Sequence, residues 1–119
     1  MDKETTVEEL KRMTKKFMDD RDWRKFHNPK DLAITIATES AELLEIFRFK
    51  NEEEINELLN TDKRVEIEDE LADVLLNIFR FSDLYNVDLS SALKTKIEKS
   101  EKKYPVEKCK GKNKKYNEY

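Results

Sequence analysis

An all-α fold of four to five helices is what the sequence predicts, and three observations carry that prediction. Apolar residues recur at helical spacing through most of the 119 residues. One glycine and two prolines leave few places for tight hairpins. Cap and first-turn residues mark helix starts at intervals along the chain. The length suits one domain with a modest core, so residues 1–119 are read as a single domain. Charged residues make up 43% against a usual ~25%, a composition that alone would fit disorder, but the apolar periodicity argues against it.

Thr6 with Glu9 reads as a capping box opening a first helix to about Asp22, with Val7, Leu10, Met13, Phe17 and Met18 apolar. The segment WRKFHNP, residues 23 to 29, interrupts it. Asn28 and Pro29 make a cap and a first helical residue, so a second helix spans Pro29 to about Phe49. Asn51 with Glu54 caps a short third helix over about 52 to 60. A fourth, from about Lys63 to Tyr85, carries Ile67, Leu71, Val74, Leu75, Ile78, Phe81 and Tyr85 on one face. Asp88 caps a fifth that stops before Pro105, and the last fifteen residues form an ordered or semi-ordered tail. The second helix is apolar over most of its circumference, because Ala33, Ile34, Ala37, Ala41 and Leu44 lie opposite its other apolar stripe. A helix with two apolar sides in so small a chain predicts a second surface against another subunit.

No apolar run approaches 18 residues and no signal-peptide core follows Met1, so no membrane role is expected. The single Cys109 excludes an internal disulfide and fits a cytoplasmic setting. The net charge of −3 conceals an asymmetry. From Lys94 to Tyr119 ten lysines oppose four glutamates, a net +6, which leaves −9 on residues 1–93.

The anomaly lies in ATESAELLEIF, residues 37 to 47. At about 100° per residue, Leu32, Ile36, Leu43, Ile46 and Phe47 share one stripe, with Glu39 in its middle and Glu42 at its edge. The fourth helix repeats the pattern: Glu66, Glu70, Asp73 and Asn77 stack at spacings of four, three and four, on a stripe expected to continue into Phe81 and Leu84. If the two rows face each other, Glu39, Glu42, Glu70 and Asp73 converge. Unpaired carboxylates among apolar residues would cost several kcal/mol or take up protons. Between Ala33 and Asp62 the only basic residues are Arg48 and Lys50, against eight acids. Oxygen ligands without Cys, and with a lone His on neither row, select a hard cation such as Mg²⁺ or Mn²⁺. The plainer alternatives are solvated acidic faces, or acids paired with lysines of the tail. A ferritin-like di-iron site would need Glu-x-x-His on two helices, and no such pair exists. Hard cations held by carboxylates bind and activate phosphates, which makes phosphoanhydride hydrolysis the natural chemistry for a chain with no Gly-rich phosphate loop.

Four segments carry a resemblance: RDWRKFHNPKDL (21 to 32), ESAELLEIFRFK (39 to 50), EDELADVLLNI (68 to 78) and KKYPVEKCKGKNKKYNE (102 to 118). With ExxE followed after 27 residues by ExxD, the chain resembles the all-α MazG-like nucleoside triphosphate pyrophosphohydrolases, and within them the dCTP pyrophosphatase branch. The resemblance implies an antiparallel helical core that forms a dimer or a dimer of dimers. It implies Mg²⁺, or Mn²⁺ in its place, on Glu39, Glu42, Glu70 and Asp73, and water attacking the α-phosphorus of a nucleoside triphosphate to release monophosphate and pyrophosphate. By the same resemblance Trp23 and His27 match base-pocket positions, with Phe49 and Asn77 bordering the pocket. Lys103, Tyr104, Lys112 and Lys115 are implied as triphosphate contacts. Phe49 stands where close relatives carry Trp, Asn77 where some carry Tyr, and Ser100 where Asn is usual, so the base preference is open.

A helical binding module using the basic tail is the competing class, since ten lysines in 26 residues could support salt-sensitive binding. Four glutamates in that tail and the −9 on the rest argue against nucleic acid as a partner. A purely structural bundle would fill the acid stripes with leucine.

Overall fold

A 22-residue helix, α4 (Lys63–Leu84), is the element on which α1 (Val7–Asp19) and α2 (Pro29–Phe47) both pack. The computed structural model describes all 119 residues, with six α-helices, two short 3₁₀ turns and no strands. It comprises two compact units, Met1–Asn86 and Val87–Tyr119. No helix is long and apolar enough to cross a membrane.

In the first unit, local chemistry sets the helix starts. Thr6 Oγ1 accepts the Glu9 N–H at 3.1 Å, and Glu9 Oε2 accepts the Thr6 N–H at 3.0 Å. Asn28 Oδ1 accepts the Asp31 N–H at 2.8 Å, with Pro29 in the first turn, where its missing N–H costs nothing. Asn51 and Glu54 form the same reciprocal box at the head of α3 (Glu52–Leu58). Helix ends fall earlier than the sequence suggests. α1 stops at Asp19 because the Trp23 N–H folds back onto the Met18 carbonyl and Asp22 turns left-handed, φ +54°. α2 stops at Phe47 because Arg48 is extended and Phe49 takes φ +62°.

Met18, Leu32, Leu58, Ile67 and Phe79 form the buried apolar core, contributed by all four helices of this unit. Phe79 rather than Phe81 is the buried aromatic of α4, a departure from the single stripe expected there. Its cause is that α4 has two neighbours. Ala72, Leu75 and Phe79 face Met13 and Phe17 of α1 across an apolar groove of about 400 Å³, while other residues meet α2. The second apolar side of α2 is open in the single chain, with Ile34 54% and Leu44 70% exposed.

The second unit holds α5 (Leu89–Lys103), whose Asp88 cap accepts the Ser91 N–H at 3.0 Å, and a four-residue α6 (Val106–Cys109). The tail is ordered around Tyr104, whose ring lies edge-on to Tyr116 and Tyr119 at 6.4 and 6.2 Å. Gly111 takes φ +78° in the turn after α6, a conformation glycine adopts without steric cost.

Asn28 is the only side-chain cap at the head of α2. Asn28→Ala is expected to cost about 1 kcal/mol of stability, read as a lower urea midpoint at unchanged slope.

Candidate active site

α2 and α4 run antiparallel, and three points along them fix that direction. Near the start of α2, His27 receives a hydrogen bond from Arg80 near the end of α4. Midway, Glu39 and Glu42 meet Glu70 and Asp73. At the end of α2, Glu45 and Arg48 share a cavity with Lys63 and Glu66 from the start of α4.

The predicted convergence of carboxylates is present. Glu39, Glu42, Glu70 and Asp73 each offer one oxygen, and these oxygens all lie within 4.8 Å of one another. None of the four takes part in an ion pair; the nearest basic side chains of α4 engage other acids, Lys63 with Glu66 at 2.8 Å and Arg64 with Glu68 at 3.0 Å. Oε2 of Glu39 and Oε2 of Glu70 are sealed from solvent without a hydrogen-bond partner. Sealing of its oxygen, then a hydrogen bond with Glu42 that only a protonated carboxyl can make, then the charges of Glu42, Asp73 and Glu70 push Glu39 up to about 7. Glu70 is raised by the same causes, burial first and then Glu42. Four acids in this relation need a proton or a cation between them. An all-oxygen donor set with two unpartnered buried oxygens fits a hard divalent cation.

One end of this cluster opens into a cavity of about 380 Å³ where Arg48, Lys50 and Lys63 join Glu42 and Glu70. Arg48 pairs with Glu45 at 3.4 Å, whereas the Lys50 ammonium makes no ion pair. Carboxylates and cations side by side suit a ligand whose anionic tail needs both a metal and direct positive charge. Arg48 and Lys50 stand out in the sequence as the only cations of an acidic stretch, and Lys63 joins them only through the fold.

The remaining expected site residues are placed as follows. Trp23 heads the 3₁₀ turn Arg24–Phe26, with its ring edge-on to Phe17 at 5.6 Å. Phe49 is 88% exposed despite its left-handed backbone, and the Arg48 guanidinium lies 4.5 Å from its ring centre. Asn77 donates to the Asp73 carbonyl at 2.8 Å, which leaves its own carbonyl oxygen available. Lys103, Tyr104, Lys112 and Lys115 belong to the second unit, where Lys103 Nζ lies 4.9 Å from the Tyr116 ring centre.

Arg80 is the residue that the sequence did not disclose. It lies seven residues beyond Asp73 and three beyond Asn77, so a buried guanidinium borders the acid stripe where that stripe runs on toward Phe81 and Leu84. Only 1% of Arg80 is exposed, and Asp19 and Asp83 flank it at 3.6 and 3.8 Å. The heptad spacing was a usable signal, but arginine is so rarely buried that spacing alone does not select it.

Residues 34–119 match the MazG-like family. Over 116 residues, 97% of the chain, the sequence is 31% identical to dCTP pyrophosphatase 1 of Bos taurus, 69% of which is covered. For dCTP pyrophosphatase 1 of Homo sapiens the identity is 30%, with 68% covered. A crystal structure of a pyrophosphatase from Archaeoglobus fulgidus DSM 4304 superposes with a TM-score of 0.78 at 42% identity, over 83% of this chain and 92% of that one.

The raised Glu39 gives the pH dependence a sign. Between about 4.5 and about 7 the folded chain holds more protons here than the unfolded chain, so the cluster's contribution to stability falls as pH rises through that window. His27, shifted downward, acts in the opposite sense within that window, whereas Asp19, also shifted downward, acts only at lower pH, so the difference between wild type and Glu39→Gln is the informative quantity. Without divalent cation, Glu39→Gln is expected to melt above wild type at pH 8 and to lose that advantage by pH 5. Added Mg²⁺ at pH 8 should raise the wild-type melting temperature and leave Glu39→Gln almost unmoved. A wild type indifferent to Mg²⁺ and Mn²⁺ at pH 8 would remove the cation assignment.

Proposed function

Because the chain belongs to the MazG-like family, we propose that it hydrolyses a (deoxy)nucleoside triphosphate, with dCTP-like substrates foremost, to the monophosphate and pyrophosphate. The observation that carries this reading is the carboxylate cluster between α2 and α4, with its two sealed, unpartnered oxygens. Glu39, Glu42, Glu70 and Asp73 would hold Mg²⁺, or Mn²⁺ in its place, which when bound neutralises phosphate oxygens and lowers the pKa of water. The names of the bovine, human and archaeal relatives support the same chemistry.

In this reading the oxygen of a water molecule bonds to the α-phosphorus while the bond from that phosphorus to the α,β-bridging oxygen breaks. The bridging oxygen leaves with pyrophosphate. A carboxylate of the cluster orients the water and accepts its proton. Arg48, Lys50 and Lys63 receive the departing phosphates, while Lys103, Tyr104, Lys112 and Lys115, all in the second unit, would be triphosphate contacts supplied to a neighbouring subunit's site. Trp23, His27 and Asn77 line the base pocket of one chain in this reading, and Phe49, beyond the opposite end of α2, would border that pocket from a paired chain. Phe49 supports that role because its ring, 88% exposed at a left-handed φ that costs about 1–3 kcal/mol, packs on nothing apolar and touches only the Arg48 guanidinium. Pairing of chains through the open side of α2 would make the working form a dimer or a dimer of dimers, supported by exposed Ile34 and Leu44. The biological use would be cleansing or balancing the nucleotide pool in the cytoplasm.

The reaction is tested by incubating the protein with each common dNTP and NTP and a 5-substituted dCTP, with Mg²⁺ and an EDTA control. Monophosphate plus pyrophosphate, formed only with the cation, is expected. Diphosphate plus phosphate would place the attack at the wrong phosphorus, and no product from a folded protein would return the weight to a binding module. Glu39→Gln or Asp73→Asn should lower turnover roughly 100-fold or more while leaving the helical spectrum intact, on the scale of several kcal/mol of lost charge stabilisation.

Phe49→Gly separates strain from binding. It is expected to melt at or above the wild-type temperature, because glycine accepts φ +62° freely. Its KM for the nucleotide should rise about tenfold, since stacking of a base on an aromatic ring is worth about 1–3 kcal/mol. An unchanged KM would remove Phe49 from the base pocket.

A further inference from the structure

Arg80 Nε donates to Nδ1 of His27 at 3.0 Å, across 53 residues of sequence. A guanidinium is always charged and has only donors. The nitrogen facing it must therefore offer a lone pair. With Nδ1 unprotonated, a neutral imidazole carries its proton on Nε2, and that nitrogen makes no hydrogen bond within the chain and is not among the sealed unpartnered atoms. Protonating the ring fully would set N–H against N–H.

The clamp is itself held. Asp19, at the end of α1, and Asp83, one turn further along α4, flank the guanidinium, and its burial leaves little room to turn. His27 is the residue that ends the 3₁₀ turn before the Asn28 cap of α2, so its backbone is fixed from the other side. The ring is thus positioned from α1 and α4 through one side chain.

We infer that Arg80 is a positioning residue that locks His27 in the Nε2–H tautomer and presents that N–H, at a fixed angle, as a donor to a carbonyl oxygen of the substrate's base. The second half of this inference rests on the nucleotide reading above; the first half does not. Burial, and then the charge of Arg80, push the His27 pKa down, which agrees with a ring kept neutral. A fixed donor favours a base edge that offers an acceptor, such as the 2-carbonyl of a pyrimidine, and opposes an edge that offers an amino group.

His27 is the only histidine, so a long-range ¹H–¹⁵N correlation spectrum of uniformly ¹⁵N-labelled protein shows one imidazole. At pH 7.5 the wild type should give an unprotonated Nδ1 and a protonated Nε2. Arg80→Met should give averaged nitrogen shifts, the mark of exchanging tautomers. A wild-type ring with Nδ1 protonated, or with the same averaged shifts as Arg80→Met, overturns the lock. If Arg80→Met does not fold, the wild-type spectrum still decides, and Arg80→Lys keeps a charge between Asp19 and Asp83 without the planar fork.

Kinetics then test the second half. Arg80→Met and His27→Ala should each raise KM for the preferred pyrimidine triphosphate about tenfold with little change in kcat, and the double variant should be no worse than either alone. Additive losses, or a fall in kcat at constant KM, overturn the positioning role. A wild type that hydrolyses no nucleotide while showing the locked tautomer would defeat the substrate assignment and leave the clamp standing.

Discussion

The first unit is organised around a repulsion. Four carboxylates from two antiparallel helices are held with oxygens within 4.8 Å of one another, and no ion pair relieves them. Apolar contacts and helix ends must offset that repulsion. Leu32 is buried on α2 on the His27 side of the cluster, while Ile67 and Phe79 are buried on α4 on either side of it in sequence. The caps at Asn28 and Asn51 fix where the acid-bearing segment begins and where the chain leaves it. Packing alone would have placed leucine at Glu39 and Glu70, so their retention beside a core this small points to chemistry rather than to stability.

The seam between α2 and α4 has a graded polarity. From the His27 end toward the Lys63 end it passes from an imidazole clamped by a guanidinium, through the acids, to a cavity with three basic side chains. A nucleoside triphosphate has that same order of needs, from a base with hydrogen-bonding edges to a chain of anionic phosphates. Membership of the MazG-like family is consistent with this order, and the matched residues 34–119 contain all four acids.

What could be read in the sequence was what short range controls. The starts of α1, α2, α3 and α5 lie where Thr6, Asn28, Asn51 and Asp88 placed them, because a cap bonds an N–H only three residues away. The acid convergence was legible from helical periodicity in two segments and the scarcity of neighbouring cations. The illegible features depend on distant partners. Nothing near Arg80 announces a histidine 53 residues earlier, and nothing near Phe79 reveals that α4 must satisfy α1 as well as α2. Phe49 gives no local hint of its left-handed backbone, since a bulky aromatic is a poor candidate for that conformation. The four tail residues expected to touch phosphate lie in the second unit, where the tyrosine cluster explains their order but not their role.

The placement of α4 has a consequence for how this unit comes apart. α1 and α2 each pack chiefly on α4, so α4 is a wall common to both halves of the core. Fraying of α1 exposes one side of that wall and leaves the α2 pairing in place, whereas loss of α4 leaves neither neighbour anything to bury against. Opening therefore has a hierarchy, with the amides of α4 exchanging with solvent only through cooperative unfolding and those of α1 through smaller excursions. The acid cluster straddles the α2–α4 seam, so fraying of α1 leaves in place the two helices that carry it.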